Sequence, residues 1–345
     1  MKITYKEQPY ESLEGETILE ALLRNNVCVP YSCKAGVCNV CVLAGDHNEH
    51  SIEATNGLKN TLVRQGFFRA CQSIPTKDIS LRNVEDINLF SPASVFEKDF
   101  LAPDICRLRM RPATDLFYHA GQYLNFRIPN NEIRSYSLAS LPAQDEYLEF
   151  HIKSMENGIV SNWLFNEVQV GDILDIQGPF GECFYLPEND SGDILMIGTG
   201  TGLAPLIGIL RDAINSGHHG KIQVYHGVRS ETDLYLHKPL EEISKTFKNI
   251  EYFPCISKPT ASMGPAILEG FAADLAFSNN TSLKGSLVYL CGSPEMVTIA
   301  RKKAYLMGAD MKHIYMDPFI TKNLRDDNPE SQQTAEDISE RRNLS

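Results

Sequence analysis

The 345 residues carry Asp+Glu 44 against Lys+Arg 32, a formal net charge of −12, which exceeds one compact domain and argues for two or three. Hydrophobic residues at 43% and charged residues at 22% are ordinary globular composition, excluding a disordered or fibrous chain. The acidic balance excludes a basic nucleic-acid-binding stripe, and no apolar run approaches the roughly 18 residues of a membrane span. The polar start Met1–Glu7 shows no secretory signal, so a cytoplasmic location is expected.

Residues 2–6 and 9–13 read as a short strand pair. Gly15-Glu16-Thr17 then opens a helix whose apolar face is Ile18, Leu19, Leu22 and Leu23. Asn25-Asn26 ends it, and Val27–Pro30 leads into a cysteine loop. Residues 1–84 suit a small sheet with one helix packed on it. Asn83–Ser91, closed by Ser91-Pro92, reads as a linker. Between 91 and 188, Ile105–Met110, Tyr123–Ile128, Tyr147–Ile152 and Ile173–Ile176 read as strands punctuated by Pro, Gly and Asn. That rhythm predicts an antiparallel barrel. From 191 to 320 the rhythm changes to strands Ile194–Ile197, Ile222–His226, Ile250–Pro254 and Leu287–Leu290. Helices over Leu203–Asn215, Lys238–Thr246 and Pro294–Met307 alternate with them, which predicts a parallel α/β sheet. Residues 321–345 hold only Leu324, Ala335, Ile338 and Leu344 as apolar residues and read as a disordered tail.

Nine cysteines without a signal peptide do not form a disulfide framework. Cys33, Cys38 and Cys41 stand as C-x₄-C-x₂-C, with Cys71 further on, the spacing of plant-type [2Fe–2S] proteins. Four thiolates must converge on two irons, so a tight loop supplies three and a distant segment the fourth. Gly36 lets backbone N–H groups turn toward the sulfurs. A structural zinc site is the alternative, which C-x₄-C fits poorly. Cys28, Cys106, Cys183 and Cys255 read as buried free cysteines. Pro30-Tyr31-Ser32-Cys33 and Gly66-Phe67-Phe68-Arg69-Ala70-Cys71-Gln72 resemble plant-type ferredoxins, with Asn39 where many members have Gly. Acidic and basic residues balance within 1–84, unlike the acidic docking face of photosynthetic ferredoxins.

Arg134-Ser135-Tyr136-Ser137 ends a barrel-type strand. An Arg can clamp pyrophosphate, a Tyr ring can pack on isoalloxazine, and a Ser hydroxyl can reach flavin N5. His151-Ile152-Lys153 follows, then Gly158-Ile159-Val160-Ser161, a turn whose N–H groups suit pyrophosphate at a helix start. Trp163 reads as a core anchor, and Gly178-Pro179-Phe180-Gly181 as a plain turn. Gly198-Thr199-Gly200-Thr201-Gly202 follows a buried strand and opens a helix through Pro205. The glycines permit close approach of a pyrophosphate, although Leu203 stands where the dinucleotide fingerprint has its third glycine. Cys291-Gly292 lies after a later strand, at the sheet edge where such folds bind ligands. Arg229 and Lys258 follow two neighbouring strands and read either as a seat for a 2′-phosphate or as surface charges.

The order Arg-x-Tyr-Ser, Gly-x-x-Ser, Gly-Thr-Gly-Thr-Gly-Leu-Ala-Pro, Cys-Gly-Ser-Pro resembles the ferredoxin–NADP reductase superfamily. With the ferredoxin segment in front, the chain up to about residue 320 resembles the reductase components of bacterial oxygenases. These include the phenol hydroxylase, methane monooxygenase and benzoate dioxygenase types, and the similar CDP-6-deoxy-glucoseen reductases. The resemblance implies a β-grasp [2Fe–2S] ferredoxin, an FAD-binding barrel and an NAD-binding α/β domain, passing electrons to a terminal oxygenase or other redox protein. It implies that Phe319, in Tyr315-Met316-Asp317-Pro318-Phe319, covers the flavin, with Cys291 and Asp317 near the hydride path. A core aromatic is the other reading of Phe319. FAD is expected over FMN, and NADH slightly over NADPH. The rival functions are a reductase for a non-oxygenase and a redox sensor without sustained turnover.

Overall fold

The structure is a computed structural model; it describes all residues except 46–50, 57, 59–61, 64–65, 83–89, 188–189, 260–263, 265 and 321–345. Most of the expected linker and the whole expected tail therefore lie outside the described residues.

The first sheet joins β1 (Lys2–Tyr5), β2 (Gln8–Glu11), β3 (Val42–Gly45), β4 (Phe67–Arg69) and β5 (Ile79–Arg82) in the order β2-β1-β5-β3-β4. Helix α1 (Ile18–Arg24) packs on it through Ile18, Leu19, Ala21 and Leu22. Thr17 caps α1 with a capping box to Glu20, satisfying donors that a helix start leaves open. Asn25 closes the helix and Asn26 takes φ +57, so the Asn pair does end it. A short helix α2 (Ile52–Thr55) precedes β4. Of the cysteines expected to be buried and free, Cys106, Cys183 and Cys255 are so, but Cys28 is exposed.

The second sheet comprises β6 (Ser91–Ala102), β7 (Ile105–Pro112), β8 (Tyr123–Arg127), β9 (Ile133–Ser137), β10 (Leu148–Lys153) and β11 (Ile173–Phe180). Its order is β10-β7-β6-β11-β8-β9, every pairing is antiparallel, and a Leu138–Phe150 bridge brings the two edges together. Leu108, Met110, Leu124, Phe126 and Phe150 fill the interior. One strand runs through the expected linker end: β6 begins at Ser91 and pairs Pro92 with Asp175. Proline is tolerated there because it stands at the strand's beginning. Helix α3 (Ile159–Asn162) covers one end, with Trp163 packed on the barrel core.

The third sheet is wholly parallel: β12 (Ile194–Thr199), β13 (Ile222–Val228), β14 (Ile250–Ile256), β15 (Leu268–Glu269), β16 (Leu287–Gly292) and β17 (Ile314–Pro318). The order β15-β14-β13-β12-β16-β17 places a topological switch between β12 and β16. Helices α4 (Leu203–Asn215), α5 (His237–Thr246), α6 (Ala272–Ser278) and α7 (Pro294–Leu306) join the strands. Two cores, one around Met196, Leu206 and Tyr289, the other around Ile197, Tyr225 and Leu290, bury both faces of the sheet. Near-continuous apolar strands are the expected signature of such burial. Among the described residues no helix is long and apolar enough to cross a membrane.

Candidate electron-transfer site

Three elements meet at one cavity of about 1220 Å³. The cysteine loop forms one wall, the ends of β8, β9 and β11 with α3 a second, and the C-terminal edges of β12, β16 and β17 a third.

The loop between α1 and β3 holds Cys33, Cys38 and Cys41, and the turn after β4 brings Cys71 to them, so that the four predicted cysteines stand as two pairs. All four are free thiols, Cys33 sharing a hydrogen bond with Cys38 and Cys41 with Cys71. The hydrogen bond from Cys38 pushes the Cys33 thiol down, and that from Cys41 pushes Cys71 down. Their partners Cys38 and Cys41 are pushed up by the same bonds and by burial. Backbone amides point at the sulfurs: Ala35 N–H donates to Cys33 Sγ at 3.3 Å, and Gly36 N–H turns to Cys71. Gln72 Nε2 lies 3.6 Å from Cys71 Sγ. Two thiol pairs ringed by N–H donors fit a two-iron cluster, with one pair for each iron. Among the described residues no group of three or more His, Cys, Asp or Glu side chains is gathered closely enough to hold a single metal ion.

The loop is seated on the barrel. Asn125 Nδ2 donates to the Cys38 carbonyl at 3.2 Å, and the Tyr123 hydroxyl donates to the Val37 carbonyl. Cys38 and Val40 pack against Ile133, at the start of the strand that carries Arg134, Tyr136 and Ser137. Cys33 and Cys38 line the cavity, whereas Cys41 and Cys71 face inward beyond it. Tyr123 and Asn125 had no signal in the sequence, because docking contacts between domains follow no local pattern.

On the barrel side the cavity is lined by Arg134, Tyr136, Ser137, Gly158, Val160 and Ser161. Arg134 spends Nη1 on Glu132 at 3.0 Å and on its neighbour's carbonyl at 2.6 Å. The Tyr136 ring stands edge-on to Phe126 at 5.4 Å, which fixes its plane. Gly158 is the N-cap of α3 and offers no side-chain cap to the first N–H groups. A Cβ there would fall 2.2 Å from Ser161 Oγ, so the close turn requires glycine. This open turn, the arginine and the flat aromatic wall fit a flavin dinucleotide.

His151 and Lys153 also border the cavity, but their side chains are engaged elsewhere. His151 Nδ1 meets the Tyr235 hydroxyl at 3.2 Å and Nε2 meets Glu149 at 3.1 Å. Burial would raise the Glu149 carboxyl, yet His151 and Arg109 hold it at about 2. Lys153 pairs with Asp104 at 3.0 Å.

The third wall joins two loops at the switch point. Thr199, Gly200 and Thr201 line it, with Gly200 at φ +55. Gly198, Gly202 and Pro205 lie behind: a Cβ on Gly202 would fall 2.3 Å from the Cys291 carbonyl oxygen. Gly292 takes φ +115, and Ser293 N–H donates to Thr199 Oγ1 at 2.9 Å, tying the loops together. The imidazole Nε2 of buried His226 lies 3.2 Å from the Gly200 carbonyl oxygen. Such glycine-lined strand ends fit a dinucleotide pyrophosphate. Cys291 is fully buried 3.7 Å from Cys183, and burial, then Cys183, pushes its thiol up. Arg229 and Lys258 are exposed and adjacent, Lys258 N–H donating to the Arg229 carbonyl at 2.9 Å, but neither lines the cavity.

Asp317 and Phe319 complete this wall. Ser137 Oγ donates to Asp317 Oδ2 at 2.6 Å, so barrel and sheet meet where the flavin and nicotinamide walls adjoin. Burial pushes the Asp317 carboxyl up to about 6, against the pull of Ser137. Phe319 is held by its own N–H on the Gly292 carbonyl at 2.8 Å.

Comparison with known proteins agrees with each module. The 2Fe-2S iron-sulfur cluster binding domain family matches residues 1–76, the oxidoreductase FAD-binding domain family 92–185, and the oxidoreductase NAD-binding domain family 196–302. The ferredoxin–NAD(P)+ reductase component of the naphthalene 1,2-dioxygenase/salicylate 5-hydroxylase systems of Ralstonia sp. is 35% identical over 314 residues, covering 88% of this chain and 94% of that protein. The reductase subunit of an aromatic O-demethylase of Amycolatopsis sp. is 34% identical, over 82% and 87% respectively. The crystal structure of an Amycolatopsis cytochrome P450 reductase superposes with TM-score 0.66 at 31% identity, covering 92% of this chain and 98% of its own. Fold and site together define an NAD(P)H-dependent flavin and iron–sulfur oxidoreductase. The chain belongs to the family of ferredoxin–NAD(P)+ reductase components of oxygenase systems.

Proposed function

We propose that this chain takes electron pairs from NADH and delivers them singly to a separate terminal oxygenase in the cytoplasm. The observation that carries this reading is the single cavity bordered by Cys33 and Cys38, by the Ser137–Asp317 bond, and by the Gly200 loop. A nicotinamide gives up two electrons as a hydride, an iron–sulfur cluster carries one, and bound FAD converts between them. Arg134 and the Gly158–Ser161 turn hold the flavin pyrophosphate, Tyr136 packs on the ring system, and Ser137 donates toward N5. His151 and Lys153 contribute backbone only, since their side chains are committed to Tyr235, Glu149 and Asp104. Gly198–Gly202 with Pro205, and Cys291-Gly292, receive the nicotinamide dinucleotide. Asp317 governs where the Ser137 hydroxyl points by accepting its hydrogen bond, and Phe319 covers the flavin until the nicotinamide docks. Cys33, Cys38, Cys41 and Cys71 ligate the cluster. The modules span 1–84, 91–188 and 191–320.

The purified protein should contain two irons, two sulfides and one FAD per chain. Zinc without iron would overturn the cluster assignment, and FMN in the extract would overturn FAD.

The NADH preference rests on Arg229 and Lys258 standing exposed outside the cavity. A surface charge screened by solvent discriminates weakly, so kcat/KM should favour NADH only slightly, by less than about tenfold or ~1.4 kcal/mol. A strong NADPH preference abolished by Lys258→Glu would reverse the assignment.

A second partner class is favoured by one comparison. The CDP-6-deoxy-L-threo-D-glycero-4-hexulose-3-dehydrase reductase of Yersinia pestis is 30% identical over 88% of this chain and 93% of its own length. Reconstitution with an oxygenase and with a sugar dehydrase separates the two.

A further inference from the structure

Arg69 is a buried cation beside the cluster cysteines. It ends β4 two residues before Cys71 and is 6% exposed. Its Nη1 donates to the Gly36 carbonyl, and the N–H of that same residue turns to the Cys71 sulfur. Its Nε is buried with no hydrogen-bond partner. Arg24, Arg107, Arg109, Arg127, Arg134 and Arg211 each bond a carboxylate at 2.7–3.0 Å. Among the described residues Arg69 has no such partner, although it is buried more deeply than they are. An uncompensated buried charge is strongly disfavoured, so the protein must supply a countercharge when loaded. The four thiolates and bridging sulfides of a [2Fe–2S] cluster carry net negative charge, and each added electron deepens it.

We infer that Arg69 is the resident countercharge of the iron–sulfur cluster and raises its reduction potential, drawing electrons out of the flavin site. The inference rests on the proposed reading of Cys33, Cys38, Cys41 and Cys71 as ligands. Cluster potential follows net charge and hydrogen bonding to the sulfurs, and Arg69 acts on both. Its charge favours the reduced form, and its bond to Gly36 fixes the peptide that addresses Cys71. Arg69 borders the cavity together with Gly36, Val37 and Tyr123. The positive charge therefore stands on the side of the loop that faces the barrel.

The test is an anaerobic redox titration of the full-length holoprotein, following the reduced cluster by EPR and the flavin by absorbance. Arg69→Gln and Arg69→Met should lower the equilibrium ratio of reduced cluster to reduced flavin by about tenfold, which is 59 mV for a one-electron couple. The flavin potential should stay unchanged, and Arg69→Lys should remain within about threefold of wild type, since it keeps the charge. A neutral variant with an intact cluster at wild-type potential overturns the inference. Should both neutral variants lose iron while Arg69→Lys keeps it, the charge is what the cluster requires, and the inference stands. Loss of iron in Arg69→Lys as well, or a drop there equal to that of Arg69→Gln, assigns the role to guanidinium shape and overturns it. Wild-type protein lacking iron and sulfide would instead refute the ligand reading beneath it.

Discussion

Cys71→Ser should uncouple the protein: NADH-driven ferricyanide reduction persists near the wild-type rate, while cytochrome c reduction falls below about a tenth, a loss of at least ~1.4 kcal/mol in transition-state terms. The separation follows from the three cores. Cys71 belongs to the core around Ile3, Leu19 and Phe68, whereas the flavin wall is built on Leu124, Phe126 and Phe150. Removing one proposed ligand of a thiol pair should damage or strip the cluster without touching Arg134, Tyr136 or Ser137. Ferricyanide takes electrons directly from flavin, but the proposed partner needs delivery through the cluster. Stopped-flow absorbance should show flavin bleaching at the normal rate with no subsequent transfer to iron. Equal loss of both activities in a folded, flavin-loaded variant would contradict the linear order.

The parts of this arrangement that were legible in the sequence are those fixed locally. The cysteine spacing needs only a tight loop and one return strand, and the structure pairs all four sulfurs. The Leu203–Asn215 helix ends where its apolar periodicity ends. Glycines at 158, 200 and 292 are dictated by turn geometry or close approach, so their positions announce the loops. Partners across the fold leave no such trace. His151 looked like a cofactor ligand by its place beside a flavin motif, but alternation along β10 says only which face a residue takes. The imidazole is claimed by Tyr235, 84 residues away, and by Glu149. Arg229 and Lys258 were placed by strand order at the edge of the parallel sheet, where both are exposed and neither lines the cavity. Arg69 sat in a ferredoxin-like stretch as one more basic residue; only its burial without a carboxylate sets it apart. β6 entered through Ser91-Pro92 because long-range pairing with β11 outweighed a local turn signal.

If Ser137 and Asp317 act in hydride transfer as proposed, their hydrogen bond should make that step pH-dependent in a defined direction. When Asp317 is ionised, the Ser137 O–H is locked onto its carboxylate at 2.6 Å. A protonated Asp317 would donate to Ser137 Oγ instead and free the serine O–H to serve a bound flavin. Burial has already pushed Asp317 up to about 6, and FAD filling the cavity excludes more water, so the transition lies at or above that value. Flavin reduction by NADH should therefore slow as pH rises through this point and recover as pH falls. Asp317→Asn, whose amide donates at every pH, should flatten the profile near its fast limb. Ser137→Ala should slow flavin reduction by about 100-fold on the fast low-pH limb, the scale of one positioned proton donor, and leave the slow high-pH limb nearly unchanged. Stopped-flow measurement of flavin reduction between pH 5 and pH 9 decides the matter, because it isolates the hydride step from cluster and partner. An unchanged profile in Asp317→Asn would remove Asp317 from the relay and leave the serine to act alone.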